Sequence, residues 1–258
     1  MTAHTAAVWG DAVAAGRPVR LFRPAGGGRG TLVWAHGGSW TGGSVAGWHE
    51  PCADVAALGG WTVVSVGYRT APVHPHPAAL TDVAAVVEWA TERGGGPVAV
   101  GGDSAGATIA TSVALALRGR PHAPVAQLLA YPPLDPECLS PTYARDEFPN
   151  RADLRSSWRA YLGPTPLLDP PATPWHTDDL SGLPLTVLLV GDADPVVGDV
   201  RAYAARLTAA GVPTRLHEFT HMGHGEFLRS GGSRLRAALG RTLKDLPGQD
   251  TTPTEELK

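Results

Sequence analysis

The sequence predicts an α/β fold: a mostly parallel central sheet with helices on both faces and a small cap. Three observations predict it. Short apolar runs alternate with amphipathic stretches of 10–15 residues along most of the chain, the pattern left by strand–helix–strand units. The run Leu185–Val190 (LTVLLV) is almost continuously apolar, as expected of a strand covered on both faces. Several runs end directly in turns rich in Gly, Asp or His.

The 258 residues suit a single domain spanning residues 1–258. With 43% hydrophobic and 17% charged residues, the chain can bury a sizeable core. A net charge of −3 and the lack of a basic patch argue against nucleic acid as a partner. The N-terminus has neither the basic start nor the apolar core of a signal peptide, and no run approaches the ~18 apolar residues of a membrane span. A cytoplasmic protein without a membrane partner is expected. Cys52 and Cys138 stand far apart without ligand spacing and read as two separate thiols.

Taken in order, Val19–Phe22 is a short extended run, followed by a glycine turn over Gly26–Gly30. Thr31–Ala35 and Trp61–Val66 read as buried strands. Pro77–Arg93 carries Leu80, Val83, Ala84, Val87 and Ala90 on a helical stripe, and Gly94-Gly95-Gly96 stops it. Val98–Val100 is a strand, Ala105–Arg118 a helix and Val125–Tyr131 a strand closed by Pro132-Pro133. After Leu185–Val190 come a helix over Val200–Ala210, a strand over Thr214–Phe219 and a last helix over Ser233–Leu243. Pro132–Pro184 breaks the rhythm, with one helix-like piece at Arg151–Tyr161. An insertion of that length is usually functional, and residues 136–180 read as a cap over the mouth of the sheet.

Four elements carry chemistry. Gly102-Asp103-Ser104-Ala105-Gly106 is a G-x-S-x-G sequence between a strand and a helix, the setting of a nucleophile elbow. In a chain with 32 glycines the pattern alone is modest, and its placement gives it weight. His36-Gly37-Gly38-Ser39-Trp40 follows a strand, and its glycines let backbone N–H groups approach an oxyanion. Gly191-Asp192-Ala193-Asp194-Pro195 places two carboxylates at a strand end, and residues alone do not choose between Asp192 and Asp194. His221-Met222-Gly223-His224-Gly225 follows the last strand with two candidate bases, His221 and His224. Serine, acid, histidine is the chain order of α/β-hydrolases, unlike that of chymotrypsin or subtilisin. Trp40, Trp158 and Trp175 are candidates for a pocket wall, with packing the commoner use of a buried indole.

These motifs resemble those of the bacterial hormone-sensitive-lipase-like esterases, a branch of the α/β-hydrolases. The resemblance runs from about Thr31 to Phe227. His36–Ser39 resembles an HGGG loop, Tyr68–Leu80 (YRTAPVHPHPAAL) a YRLAPEHPFPAAL stretch, Gly102–Gly106 a GDSAG elbow and Tyr131–Asp135 a YPxLD segment. The resemblance implies Asp194 as the acid, since it directly precedes Pro195, and His224 as the base, since Gly225 follows it. It places the oxyanion donors on the N–H groups of Gly38, Ser39 and Ala105. Ser39 replaces the third glycine, DPVVGD stands for DPLRDE, and His224-Gly225-Glu226-Phe227 stands for HGF. With about 18 residues before the first expected strand, a shortened N-terminal cap is also expected.

The implied activity is cleavage of a small carboxylic ester with a short or medium acyl chain, through Ser104, His224 and Asp194, without metal or organic cofactor. Acyl transfer, or hydrolysis of an amide or lactone, would use the same groups, and the sequence does not separate these. A non-catalytic binding protein on this fold would be expected to lack part of the set, and every member is present. The oligomeric state is open, a homodimer being one option.

Overall fold

The computed structural model describes residues 7–145, 147–164, 171–231 and 233–248. In the described residues the sheet has eight strands: β1 (Val8–Ala14), β2 (Arg17–Arg23), β3 (Thr31–Ala35), β4 (Thr62–Val66), β5 (Val98–Asp103), β6 (Ala126–Ala130), β7 (Leu185–Gly191) and β8 (Thr214–Phe219). Their spatial order is β1-β2-β4-β3-β5-β6-β7-β8. β2 pairs antiparallel with both β1 and β4, and every pairing from β4 to β8 is parallel.

The helices are α1 (His49–Gly59), α2 (Ala78–Glu92), α3 (Ala105–Ala116), α4 (Arg151–Leu162), α5 (Val197–Ala209) and α6 (Arg234–Asp245). The chain steps one way from β3 to β4, then back past β3 to β5 and onward to β8. Parallel crossovers are right-handed. The reversal therefore places α1 on one face and α2, α3 and α5 on the other. α1 packs with α6, and α2 packs with α3. The reversal falls between β3 and β5, where open α/β sheets form a crevice beyond their carboxyl ends.

The parallel core matches the expected α/β architecture, strand for strand. Two elements, β1 and α1, leave no readable pattern in the sequence. β1 presents only Ala14 to the core, so as an edge strand it shows no apolar face to read. It also shifts the expected first strand: β1 already begins at Val8, and β2 extends beyond Val19–Phe22 at both ends. The α1 segment buries Pro51, Cys52, Val55, Ala56 and Gly59, a helical stripe hidden by its small residues. Helix α5 begins at Val197, three residues before the expected Val200. β5 runs on through Gly101, Gly102 and Asp103, up to the residue before Ser104.

α3 is buried along nearly its whole length. Its polar side chains are satisfied locally: Thr108 Oγ1 donates to Pro133 O at 2.6 Å, and Thr111 and Ser112 donate to Thr108 O. Cys52 and Cys138 are both free and buried, as expected. No helix among the described residues is long and apolar enough to cross a membrane.

The chain after β6 is tied to α5 through Asp199, which is fully buried. Its Oδ2 accepts from the N–H groups of Leu134 and Asp135, both at 3.0 Å, and from Tyr143 Oη at 2.7 Å. Burial nevertheless pushes this carboxyl from 3.8 up to about 6, against the pull of those donors. A folded-state value above the unfolded one means that stability is fully present below the ordinary carboxyl range. It is lost as pH rises through about 6. Relative to Asp199→Asn, the wild type should lose about 2–3 kcal/mol of unfolding free energy between roughly pH 4 and pH 7. Urea unfolding of both proteins at the two pH values checks this, and an equal change of unfolding free energy in the two would contradict it.

Candidate active site

The carboxyl ends of β3 and β5 lie side by side, with Ala35 paired to Gly102. Ser104 follows β5 at φ 51° and ψ −125°, a region costly for a residue with a side chain. Such a turn needs small neighbours. A Cβ on Gly106 would collide with Ala35 O, and one on Gly102 would stand 2.6 Å from the same oxygen. The turn is pinned by its backbone: Ser104 N donates to Ala130 O at 2.9 Å, and Ser104 O accepts from Ala107 N at 2.9 Å. Ala105 opens α3, where the first N–H groups have no partner within the helix.

β3 delivers the glycine loop. His36 is buried and its Nδ1 lies 2.7 Å from Gly37 O; burial holds its imidazole below the ordinary value. Tyr68 stacks on His36 with centroids 4.3 Å apart, and its Oη donates to His36 O at 2.7 Å. Gly38 (φ 114°), Ser39 (φ 54°) and Trp40 (φ 60°) turn the chain in succession. The turn closes with Thr41 N and Gly42 N donating to Gly38 O.

β7 and β8 deliver the two Asp–His pairs, and the structure separates them. His224 Nε2 lies 2.9 Å from Ser104 Oγ, and His224 Nδ1 lies 2.8 Å from Asp194 Oδ2. Asp194 is fully buried, and its Oδ1 also accepts from Val196 N at 3.0 Å. With Asp194 accepting the Nδ1 proton, Nε2 is left as an acceptor for the serine hydroxyl. Asp192 instead accepts from His221 N at 2.8 Å, and His221 is exposed at φ 57°. The pair not facing the serine braces the loop that carries the other. Gly191 is required there, because a Cβ would strike Met222 O.

A cavity of about 150 Å³ opens at Ser104 and His224. Gly37, Gly38 and Ser39 form one side, with Trp48, Tyr131, Phe148 and Leu228 among the others. Trp48, Phe148 and Leu228 give no readable sign in the sequence, because they lie far apart in the chain, at the start of α1, in a loop and in a short helical turn after His224. The three tryptophans considered for the wall do not line it. Trp40 and Trp158 are buried, 4.2 Å apart, and Tyr161 stacks on Trp40 at 5.0 Å. They pack α4 onto the glycine loop, while Trp175 is half-buried elsewhere. Phe148 reaches the cavity from the segment expected to be a cap, of which residues 146 and 165–170 lie outside the described residues.

The second residue of the G-x-S-x-G sequence also has a place here. Asp103 is buried, and its Oδ1 accepts from Gly37 N, Trp34 Nε1 and Trp48 Nε1. Burial pushes this carboxyl up to about 7 despite those donors.

Comparison with known proteins gives one consistent answer. Residues 32–228 match a family model described as the α/β hydrolase fold. Esterase LipI of Mycobacterium tuberculosis is 35% identical over 208 residues, covering 75% of this chain and 64% of LipI. The chain thus spans just under two-thirds of that relative. An acetyl-hydrolase of Streptomyces hygroscopicus is 32% identical over 256 residues, 91% of this chain and 85% of that protein. Among solved structures, an esterase from the bacterial hormone-sensitive lipase family superposes with a TM-score of 0.87 at 28% identity. That match covers 94% of this chain and 85% of the other.

The elbow's packing can be tested without assaying any reaction. Gly106→Ala should lower unfolding free energy by about 3 kcal/mol, since an inserted carbon must displace packed backbone. Gly95→Ala, with open space around its Cβ, should stay within about 0.5 kcal/mol of wild type. Chemical denaturation compares them, and equal midpoints would refute the packing argument.

Proposed function

The chain belongs to the α/β-hydrolase-fold family, in its bacterial hormone-sensitive-lipase-like group, and from that premise we propose that it is a serine hydrolase cleaving small carboxylic esters. The observation that carries this reading is the unbroken line of hydrogen-bonding atoms from Ser104 Oγ through His224 to Asp194. In this reading Ser104 attacks the ester carbonyl as His224 Nε2 takes its proton. Asp194 fixes the tautomer and stabilises the imidazolium. The carbonyl oxygen, now negative, is received by the N–H groups of Gly38, Ser39 and Ala105. His224 returns the proton to the departing alcohol. A water activated by the same imidazole then cleaves the acyl-enzyme and frees Ser104.

The names of relatives, esterase and acetyl-hydrolase, support esters as the substrate class and a small acyl group. A cavity of about 150 Å³ with apolar Trp48, Phe148 and Leu228 suits a short acyl chain more than a long one. We read residues 136–180 as a cap, because Phe148 comes from that segment to the cavity wall. No step calls for a metal or organic cofactor.

Three substitutions test the assignment with p-nitrophenyl acetate as substrate. Ser104→Ala should fold normally, lose at least about 10³-fold in kcat and fail to react with a fluorophosphonate probe. Full turnover in that variant would end the proposal. Asp194→Asn should lose about 10²–10⁴-fold in kcat, because the imidazole loses its orienting acceptor. Asp192→Asn should stay within about tenfold, its role being to hold His221 N; a larger loss there than at Asp194 would reverse the choice of acid.

A further inference from the structure

Asp103 lies outside the line from Ser104 to Asp194, yet the loops that this line needs meet around it. Its Oδ1 accepts from Gly37 N at 3.2 Å, Trp34 Nε1 at 3.2 Å and Trp48 Nε1 at 2.8 Å. Gly37 begins the turn that carries Gly38 and Ser39, and Trp48 lines the cavity. A Cβ on Gly37 would stand 2.7 Å from Asp103 Oδ2, so the loop rests directly on the carboxylate.

Trp34 extends the contact to the histidine loop. Its ring stacks on Phe227 with centroids 4.6 Å apart and planes 19° apart. Phe227 lies three residues beyond His224, and its peptide is held on both sides. Its N–H donates to Tyr131 Oη at 3.0 Å, and its carbonyl accepts from Arg236 Nη1. Arg236 is itself buried and paired with Asp54 of α1 at 3.1 Å. Tyr131 also packs its ring 4.6 Å from that of His224.

We propose that Asp103 is a positioning residue that sets the glycine loop and the histidine loop in one register about Ser104. This rests on the reading of Ser104 as the nucleophile. Hydrogen bonds to a carboxylate are about twice as strong as neutral ones; the one from Gly37 N holds the loop, and those from Trp34 and Trp48 fix the carboxyl that receives it. The direction of the Gly37 peptide sets where the amides of Gly38 and Ser39 point. Trp34, bound at its N–H by Asp103 and at its face by Phe227, carries the same constraint towards His224. The effect falls on the transition state, where the oxyanion forms, more than on ground-state binding.

Steady-state hydrolysis of p-nitrophenyl acetate by wild type, Ser104→Ala, Asp103→Asn, Trp34→Phe, Phe227→Leu and the Asp103→Asn/Phe227→Leu pair tests this. Asp103→Asn keeps an acceptor without the charge. Its kcat should fall about tenfold, with KM within about twofold. Trp34→Phe keeps a ring against Phe227 and removes one donor; its kcat should fall about threefold with KM unchanged. It decides the matter where Asp103→Asn does not fold. The paired variant should lose less than the product of the single losses, because the two residues act on one constraint. A kcat within twofold of wild type in the folded Asp103→Asn, a loss carried by KM, or fully multiplicative losses would overturn the proposal. Equal activity of wild type and Ser104→Ala would instead overturn the serine reading, and this inference with it.

Discussion

The backbone at Ser104 is the constraint on which the rest of the site depends. A residue with a side chain at φ 51° and ψ −125° costs about 1–3 kcal/mol, sustained only where the surroundings over-determine it. Here they do. The strand before it is the middle of a parallel sheet, the helix after it is buried almost throughout, and Ala35 O leaves no room for a Cβ on either flanking glycine. The turn lifts one hydroxyl over the crevice where the sheet's connection reverses. Every other loop of the site is arranged around that fixed point.

The loops come from distant parts of the chain, and hydrogen bonds, mostly from side chains of neighbouring segments, fix the loops' own backbone. The glycine loop is held at His36 O by Tyr68 and at Gly37 N by Asp103. The histidine loop is held at His221 N by Asp192, at Met222 O by Ala193 N and at Phe227 N by Tyr131. The 2.8 Å and 2.9 Å contacts around His224 are therefore consequences of rigid attachment, since the imidazole itself adds only two of the many bonds that place it.

The sequence shows some of this plainly and hides the rest for physical reasons. Buried parallel strands announce themselves because both faces are apolar, as in Leu185–Val190. β1 buries only Ala14, and α1 buries mainly small residues, so neither leaves a strong pattern. Ser104 is legible because the turn demands glycines at fixed positions. The choice of Asp194 over Asp192 depends on the direction of side chains two residues apart on one turn. Period and propensity do not encode that direction, and only the resemblance of Asp194-Pro195 to a known motif suggested it. Trp48, Phe148 and Leu228 meet only in three dimensions, so no local spacing could have joined them. The role of Asp103 inside the G-x-S-x-G sequence is hidden, because its partners Trp34 and Trp48 come from two other segments.

Asp103, Asp194 and Asp199 are all buried near the carboxyl edge of the sheet. Among the described residues, their hydrogen-bond partners are peptide N–H groups, indoles, a phenol and one imidazole, with no lysine or arginine. Dipoles stabilise a buried carboxylate less completely than a cation would. This is why burial still wins at Asp103 and Asp199 and raises their values to about 7 and about 6. The arrangement has a chemical advantage for the proposed reaction. A fixed cation beside Ser104 would oppose a second positive charge on His224 at the moment the imidazolium must form. Buried carboxylates oriented by neutral dipoles leave that charge to His224 alone and require no reorganisation when it appears.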